Sequence, residues 1–366
     1  MTFLARDRRI ALVRDRRTNA FMVGLARDIS SIRSRAVKKI GIIFGMENTF
    51  PPAVVDRING LKVDGVKAEF LKAGGVKMAE PSGYRVIIDR ISQDIAFYRA
   101  YLKNATLSGT IVINNPFWWS ADDKFFNYAL ASKLGVAIPP TVLLPHKQHP
   151  SGTTDQSMRN LIFPLNWEDI FQYVGFPAFL KPHSGGGWKH VYKVHSPEEF
   201  FHHYNQTGDL CMTLQRGVEF EEYFRCYVIG QEKVHVMRYD PKVPFHERYV
   251  KGNPPAEPKL HERIVKDAIT LCRVLGYDLN TVEFAVQDGI PYAIDFLNPA
   301  PDADVNSVGR ENFEWVVNAV AEMAIKKALS DENPAKDLRW AGFLAGEKPA
   351  GNKTMKPASK KKGAAK

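Results

Sequence analysis

With 366 residues the chain is long enough for two or three domains with substantial cores, and its formal charge of +10 suggests a nucleic-acid binder until that charge is located. Residues 1–39 hold eleven Arg and Lys against three Asp, and residues 351–366 hold six Lys and no acid, so the two ends carry +14 and residues 40–350 carry −4. A mildly acidic body argues against nucleic acid as its partner and leaves that role open only for the basic tails, where solvated disorder is the simpler expectation.

Cys211, Cys226 and Cys272 lack the paired spacing of a disulfide framework or a zinc site, so a reducing, cytoplasmic setting is expected. No run approaches membrane-span length, and residues 1–21 lack the apolar core of a secretory signal. Asp7, Asp15 and Asp28 count against a transit peptide, and Met22 is an alternative start.

Order is expected from Lys39. Ile40 to Gly45 reads as a buried strand, Ala53 to Ile58 as a helix start, Tyr84 to Asp89 and Gly109 to Asn114 as further strands, with helix between Asp94 and Asn104. Strands alternating with helices predict a small parallel α/β domain over residues 40–116. Ser120 is the expected cap of the next helix, with Asp123 three residues on and Gly135 as its stop. Pro139-Pro140-Thr141 leads into an edge strand, 146–164 is a polar loop, and Asn166 caps a short helix ending near Gly175. Ser196-Pro197-Glu198-Glu199 combines a cap, a proline at the first helical position and an acid at the third. Strands are expected at Leu214 to Val218, Glu222 to Ile229 and Lys233 to Arg238, then a proline-rich loop over 239–258. An amphipathic helix from His261 to Leu275 stops at Gly276, and Asp288-Gly289 turns a hairpin of Val282 to Gln287 and Ile290 to Leu297.

Two places in this order carry chemistry. The apolar run ending at Leu180 delivers Lys181, and Ser184-Gly185-Gly186-Gly187 follows. Glycines let consecutive backbone N–H groups converge on one anion, beside a lysine point charge. Neither common phosphate signature is present, and a glycine hairpin with a surface lysine is an equal alternative until the second place is considered. There, Glu283 and Asp295 interrupt apolar strands, where a carboxylate is costly unless paired or bound to a cation. Their even separation puts them on one face only if the hairpin connection has an odd number of residues, for example three with Gly289 in a bulge. Two carboxylates on one face, with Asn298 close behind, form an all-oxygen site suited to Mg²⁺; a solvated sheet face is the alternative.

In order, the chain offers Asp123-Lys124, Gly135-Val136, Pro140-Thr141, Lys181-Pro182 with its glycines, Gln215 to Val218, Glu222, Arg225, Arg238, and Glu283, Asp295 and Asn298-Pro299. Over roughly residues 40–325 this resembles the ATP-grasp superfamily, especially its branch with glutathione synthetase, D-alanine–D-alanine ligase and the protein-tail glutamate ligases. The resemblance implies an α/β chain in which the parallel N-terminal domain precedes two α+β subdomains that clasp ATP. The parts would be a basic extension (1–39), the N-terminal domain (40–116), a glycine-loop subdomain (117–213), a metal-binding subdomain (214–330) and a C-terminal segment with a Lys-rich tail (331–366).

By the same resemblance Lys124 and Lys181 would hold the ATP phosphates, and Ser184, Gly185, Gly186 and Gly187 would close over them. Gln215, Arg216 and Val218 would meet adenine through their backbone, and Glu222 would bind the ribose. Arg225 and Arg238 would face the transferred phosphate or an acyl phosphate. Glu283, Asp295 and Asn298 would hold one or two Mg²⁺. The chain departs from the family in carrying Asp at 295, where Glu is commoner, and in placing Asn298 one residue late. The implied activity is ATP- and Mg²⁺-dependent ligation of a carboxylate to an amine or thiol through an acyl phosphate, on a small-molecule or peptide substrate. A small-molecule kinase and a non-catalytic ATP-binding regulator are the rivals on the same fold. His183, His190 and His195 are read as loop residues, Phe117-Trp118-Trp119 as packing between domains, and Arg248 and Lys251 as contacts for an acidic substrate.

Overall fold

The computed structural model describes residues 37–118, 123–186, 189–244, 247–252 and 254–344. Most of the basic extension, the expected cap Ser120, Trp119, Gly187 and the Lys-rich tail lie outside the described residues.

The N-terminal part is a four-stranded parallel sheet of β1 (Lys38–Phe44), β2 (Val66–Phe70), β3 (Val86–Arg90) and β4 (Ile111–Ile113), in the order β2-β1-β3-β4. Its central strands read as unbroken apolar runs because helices cover both faces. α1 (Phe50–Gly60) starts with Pro in its first turn, and α2 (Ala96–Leu107) lies on the other side. The basic extension expected to end at 39 gives way to strand two residues earlier, since Lys38 and Lys39 pair with β2. β2 escapes sequence reading because it is an edge strand with one buried residue, Ala68.

The second sheet is antiparallel, in the order β5-β8-β6-β7: β5 (Thr141–Leu144), β6 (Ala178–Pro182), β7 (Tyr192–Val194) and β8 (Met212–Arg216). Helices α4 (Trp167–Val174) and α5 (Pro197–Tyr204) cover it, and Leu144, Val174, Leu180, Phe200 and Leu214 form its own core. The expected boundary between residues 213 and 214 falls inside β8, so this subdomain extends to Arg216.

The third sheet, also antiparallel, has the order β10-β9-β11-β12: β9 (Glu222–Ile229), β10 (Lys233–Arg238), β11 (Leu279–Gln287) and β12 (Ile290–Asp295). On one face Phe224, Cys226, Val282 and Phe284 pack with Ile264 and Leu271 of α6 (Pro258–Leu275), which ends at left-handed Gly276. Tyr128 and Ala131 of α3 (Lys124–Lys133) join that core. On the other side Tyr227, Ile229 and Leu279 share one core with Ile42, Ile88 and the long α8 (Arg310–Leu329); the short α7 (Val305–Val308) precedes it and α9 (Arg339–Leu344) follows. The N-terminal and third sheets therefore share a core, and the second sheet has its own.

Two local expectations are corrected. The cap of α3 is Asp123, whose carboxylate accepts from Phe126 N at 3.0 Å. The Asp288-Gly289 connection is a two-residue turn with both φ positive, 54° and 70°, as a tight hairpin of this hand requires. The odd residue lies elsewhere: Phe284 pairs with Ala293 but Glu283 with Asp295, so Ile294 is bulged out. The bulge restores parity, and the two carboxylates face each other on one side of the sheet.

Candidate active site

Lys181 leaves the second sheet where β6 ends, and its half-buried amine donates to Tyr128 Oη and Gln215 Oε1, each at 2.8 Å. Tyr128 Oη donates onward to the carbonyl of Ile294, the bulged residue, at 3.2 Å. Gln215, 2% exposed, donates its amide to Thr141 Oγ1 at 2.8 Å. Burial, and then the charge of Lys124, lower the Lys181 amine to about 7, against the pull of Asp295 and Glu283. The two lysines and two acids of the sequence pattern thus fall within one electrostatic neighbourhood. Lys124 is held at the start of α3 by its backbone N–H, which donates to His183 O at 2.9 Å.

The loop after Lys181 is open. Gly185 has φ +83°, Gly185 and Gly186 are exposed, and a Cβ on either would meet nothing within 4 Å. Ser184 beside them is half-buried. Gly217, in the segment from Gln215 to Val218, is the opposite case. Its N–H donates to Pro177 O at 2.7 Å, and a Cβ there would lie 2.8 Å from that oxygen. The Arg216 side chain turns away to Val174 O (2.6 Å) and Tyr173 O (2.9 Å), satisfying carbonyls at the end of α4. Val218 packs beside Tyr223, Tyr239 and Ala285.

On the third sheet, Glu283 accepts from Tyr223 Oη at 2.6 Å and lies 3.5 Å from Arg225 Nη1. Burial raises the Glu283 carboxyl above its usual range, with Arg225 opposing and Asp295 adding to the rise. Arg225 is 8% exposed, sits 5.5 Å from the centre of the Tyr239 ring and reaches Thr281 Oγ1 at 3.4 Å. Its Nε is buried without a hydrogen-bond partner, which leaves an unused donor beside the carboxylates. Asn298 follows Asp295 closely, its amide nitrogen donating to Thr281 O at 3.1 Å. Among the described residues no three His, Cys, Asp or Glu side chains gather into a metal site, so a cation here would rest on two carboxylates and the Asn298 oxygen.

Arg238 is not brought to Arg225. Strand alternation sends Glu222, Phe224 and Arg238 to the opposite face from Tyr223, Arg225 and Glu283. There Arg238 pairs with Glu222 at 2.6 Å and donates to Pro254 O at 2.7 Å, tying down the proline-rich loop. Arg248 of that loop donates to Tyr239 Oη at 3.3 Å. His195 pairs with Glu199 on the surface, and His190 is exposed. Trp118 packs on Gly276, and Phe117 lies 6.0 Å from the ring of Trp340.

Sequence reading missed Tyr128 and Tyr223, the hydroxyl partners of Lys181 and Glu283. Each stands in an apolar stretch where its ring is expected and its hydroxyl is silent, although a buried phenol needs a partner.

No family model matches the chain. Among curated proteins, D-alanine–D-alanine ligases of Clostridium botulinum are 24% identical over 173 residues, 43% of this chain and 56% of the relative, so the match spans little more than half of those ligases. Human mitochondrial pyruvate carboxylase is 27% identical over 127 residues, 31% of this chain and 11% of that protein. Among solved structures, the VanG D-Ala:D-Ser ligase of Enterococcus faecalis superposes with a TM-score of 0.57 at 13% identity, covering 80% of this chain and 100% of that one. The D-alanine–D-alanine ligase of Bacillus anthracis complexed with ATP gives 0.52 at 14%, covering 80% and 98%. The ATP-grasp ligase PsnB complexed with a minimal precursor, Mg and ADP gives 0.54 at 13%, covering 79% and 97%. A parallel N-terminal sheet followed by two antiparallel sheets, superposing on these ligases over four-fifths of its length, gives this chain the ATP-grasp fold.

Proposed function

We propose that the chain is an ATP- and Mg²⁺-dependent ligase that joins a substrate carboxylate to an amine through an acyl phosphate. The observation that carries this reading is the reach of Lys181, from the second sheet, to Tyr128 of α3 and through it to the carbonyl of Ile294, next to Asp295 on the third sheet. The similar structures complexed with ATP, or with Mg and ADP, support the same pair of ligands.

Lys124 and Lys181 bind phosphate oxygens, and the backbone of Ser184 to Gly186 lies beside them. Glu283, Asp295 and the Asn298 oxygen would hold Mg²⁺, which would neutralise charge on the transferring phosphoryl group. The Arg225 guanidinium, with Nη1 3.5 Å from Glu283, would supply positive charge to the phosphoryl oxygens or to the reacting carboxylate. The carboxylate oxygen forms a bond to the γ-phosphorus as the bond to ADP breaks. The amine nitrogen then bonds to the carbonyl carbon, phosphate leaves, and the nitrogen gives up a proton. No Ser or Cys nucleophile is required, in keeping with a site of cations, acids and phenols.

Purified chain incubated with Mg²⁺, ATP and a pooled library of amino acids, peptides and polyamines, followed by phosphate release and product mass, tests this. ADP and phosphate release that needs both a carboxylate and an amine is the expected result. A product heavier by one phosphoryl group makes the chain a kinase. Nucleotide binding with no turnover across the library favours a regulator.

A further inference from the structure

We propose that Asn280 is a positioning residue that pins the segment between Asp295 and Asn298 and so holds the Asn298 oxygen toward the two carboxylates. The inference rests on the metal-site reading above. The β11–β12 ladder ends at the pair Glu283–Asp295, and beyond it the chain must bring Asn298 back to the acids across Phe296 and Leu297 with no ladder partner.

Asn280, on β11, is 0% exposed, and its two amide atoms straddle Leu297. Its nitrogen donates to Phe296 O at 2.8 Å, and its oxygen accepts from Asn298 N at 3.0 Å. A primary amide offers the same donor and acceptor as a peptide group, so the side chain stands in for the missing strand partner. Leu297 is the residue bracketed between these bonds, and it turns into the core that holds Phe284 and Phe296. The segment is tied in the other direction as well. Asn298 spends its own amide nitrogen on Thr281 O at 3.1 Å, which turns its oxygen, the ligand-capable atom, away from that carbonyl.

Both partners of Asn280 fix its amide orientation, since a carbonyl needs the nitrogen and an N–H needs the oxygen. An apolar residue of similar size would leave the Phe296 carbonyl and the Asn298 N–H without these partners, and both groups belong to the segment that delivers Asn298. Its remaining contact is Cys272 Sγ at 3.5 Å.

The test uses Mn²⁺ with a non-hydrolysable ATP analogue, read by electron paramagnetic resonance, and needs no substrate. Asn298→Ala is expected to weaken Mn²⁺ binding in the nucleotide complex by about tenfold, and Asn280→Ala by a similar factor. The double variant should be no weaker than Asn298→Ala alone, because Asn280 acts through Asn298. A folded Asn280→Ala with wild-type Mn²⁺ affinity, or effects that multiply in the double variant, overturns the proposal. If Asn280→Ala fails to fold, Asn280→Ser carries the same cycle, with the melting temperature as the folding control. Wild-type protein that binds the nucleotide but no Mn²⁺ overturns the metal reading itself, a result distinct from an unaffected Asn280 variant.

Discussion

The half that carries Lys181 and the half that carries Glu283 are built in opposite ways. The glycine-loop sheet has a small core of its own, and the loop after Lys181 is open, with Gly185 and Gly186 exposed and unpacked. The acid sheet is packed on both faces, against α6 on one and against α8 and the N-terminal sheet on the other. Its carboxylates are fixed by Tyr223, Arg225 and a bulge. Lys181 joins the halves through Tyr128 to the carbonyl of Ile294. An open loop on a small separate core has the low local stability expected of an element that moves, and the acids have the setting expected of a fixed anvil.

The sharpest way to break this contrast is to remove an acid. Asp295→Ala should lower turnover by about 10²–10³-fold, the scale of a lost group that stabilises transition-state charge. The same variant should melt at or above the wild-type temperature, because Asp295 helps to raise the Glu283 carboxyl and its removal relieves like-charge repulsion. A large fall in melting temperature would mean that the acids hold the sheet together.

The rigidity of the acid half is tested next at Asn114. This residue, 1% exposed, accepts from Asp278 N (2.7 Å) and Leu279 N (2.8 Å) and donates to Leu279 O (2.8 Å) and Pro299 O (3.2 Å). It clamps the end of β4 to the start of β11. Asn114→Ala orphans two N–H groups and should cost about 3 kcal/mol in denaturant unfolding. A loss under about 0.5 kcal/mol, the range of an ordinary surface change, would deny the clamp.

The sequence made most of this frame legible, and the reasons for its gaps are physical. β9 and β10 show their bounds because apolar runs there are cut by Gly230-Gln231, and α6 shows its stop because Gly276 takes the left-handed conformation. Lys181 and the Glu283–Asp295 pair stand out because charge inside apolar strands demands a reason. The position of the bulge was not legible. Parity requires an odd residue, which the sequence alone assigns to the turn, and only the register puts it at Ile294. Arg238 was legible as a charge and not as a contact, since its face follows from pairing with Phe224, which only the register supplies. Asn280 and Asn114 look like ordinary polar residues, and their partners lie on chain segments that only tertiary structure brings near.

Two glycines then separate the halves by a smaller effect. Gly217→Ala forces a methyl to 2.8 Å from Pro177 O, a backbone atom that cannot swing aside. Overpacking of this kind should cost about 1–3 kcal/mol in thermal or denaturant unfolding. Gly186→Ala meets open space and should leave unfolding within about 0.5 kcal/mol of wild type. Equal costs at the two positions would mean that the loop is packed in solution.

The smallest expected effect is a pH dependence. With its amine lowered to about 7, Lys181 is largely neutral in the free protein at pH 8 and protonated in the unfolded chain, where the ordinary value is 10.5. Because the folded value is the lower one, its contribution to stability is full above 10.5 and is lost as the pH falls toward 7. Nucleotide binding runs the other way. Phosphate oxygens favour the charged amine, so binding takes up a proton, and affinity should fall as pH rises from 7 to 9, by at most about tenfold per unit. Calorimetric titration of ATP in buffers of different ionisation enthalpy measures that uptake directly. Lys181→Met should bind more weakly and with a flat profile over the same range. A wild-type profile already flat between pH 7 and 9 would mean that Lys181 keeps its charge in the free protein, and that Tyr128 and Gln215 solvate the ammonium well enough to offset both its burial and the charge of Lys124.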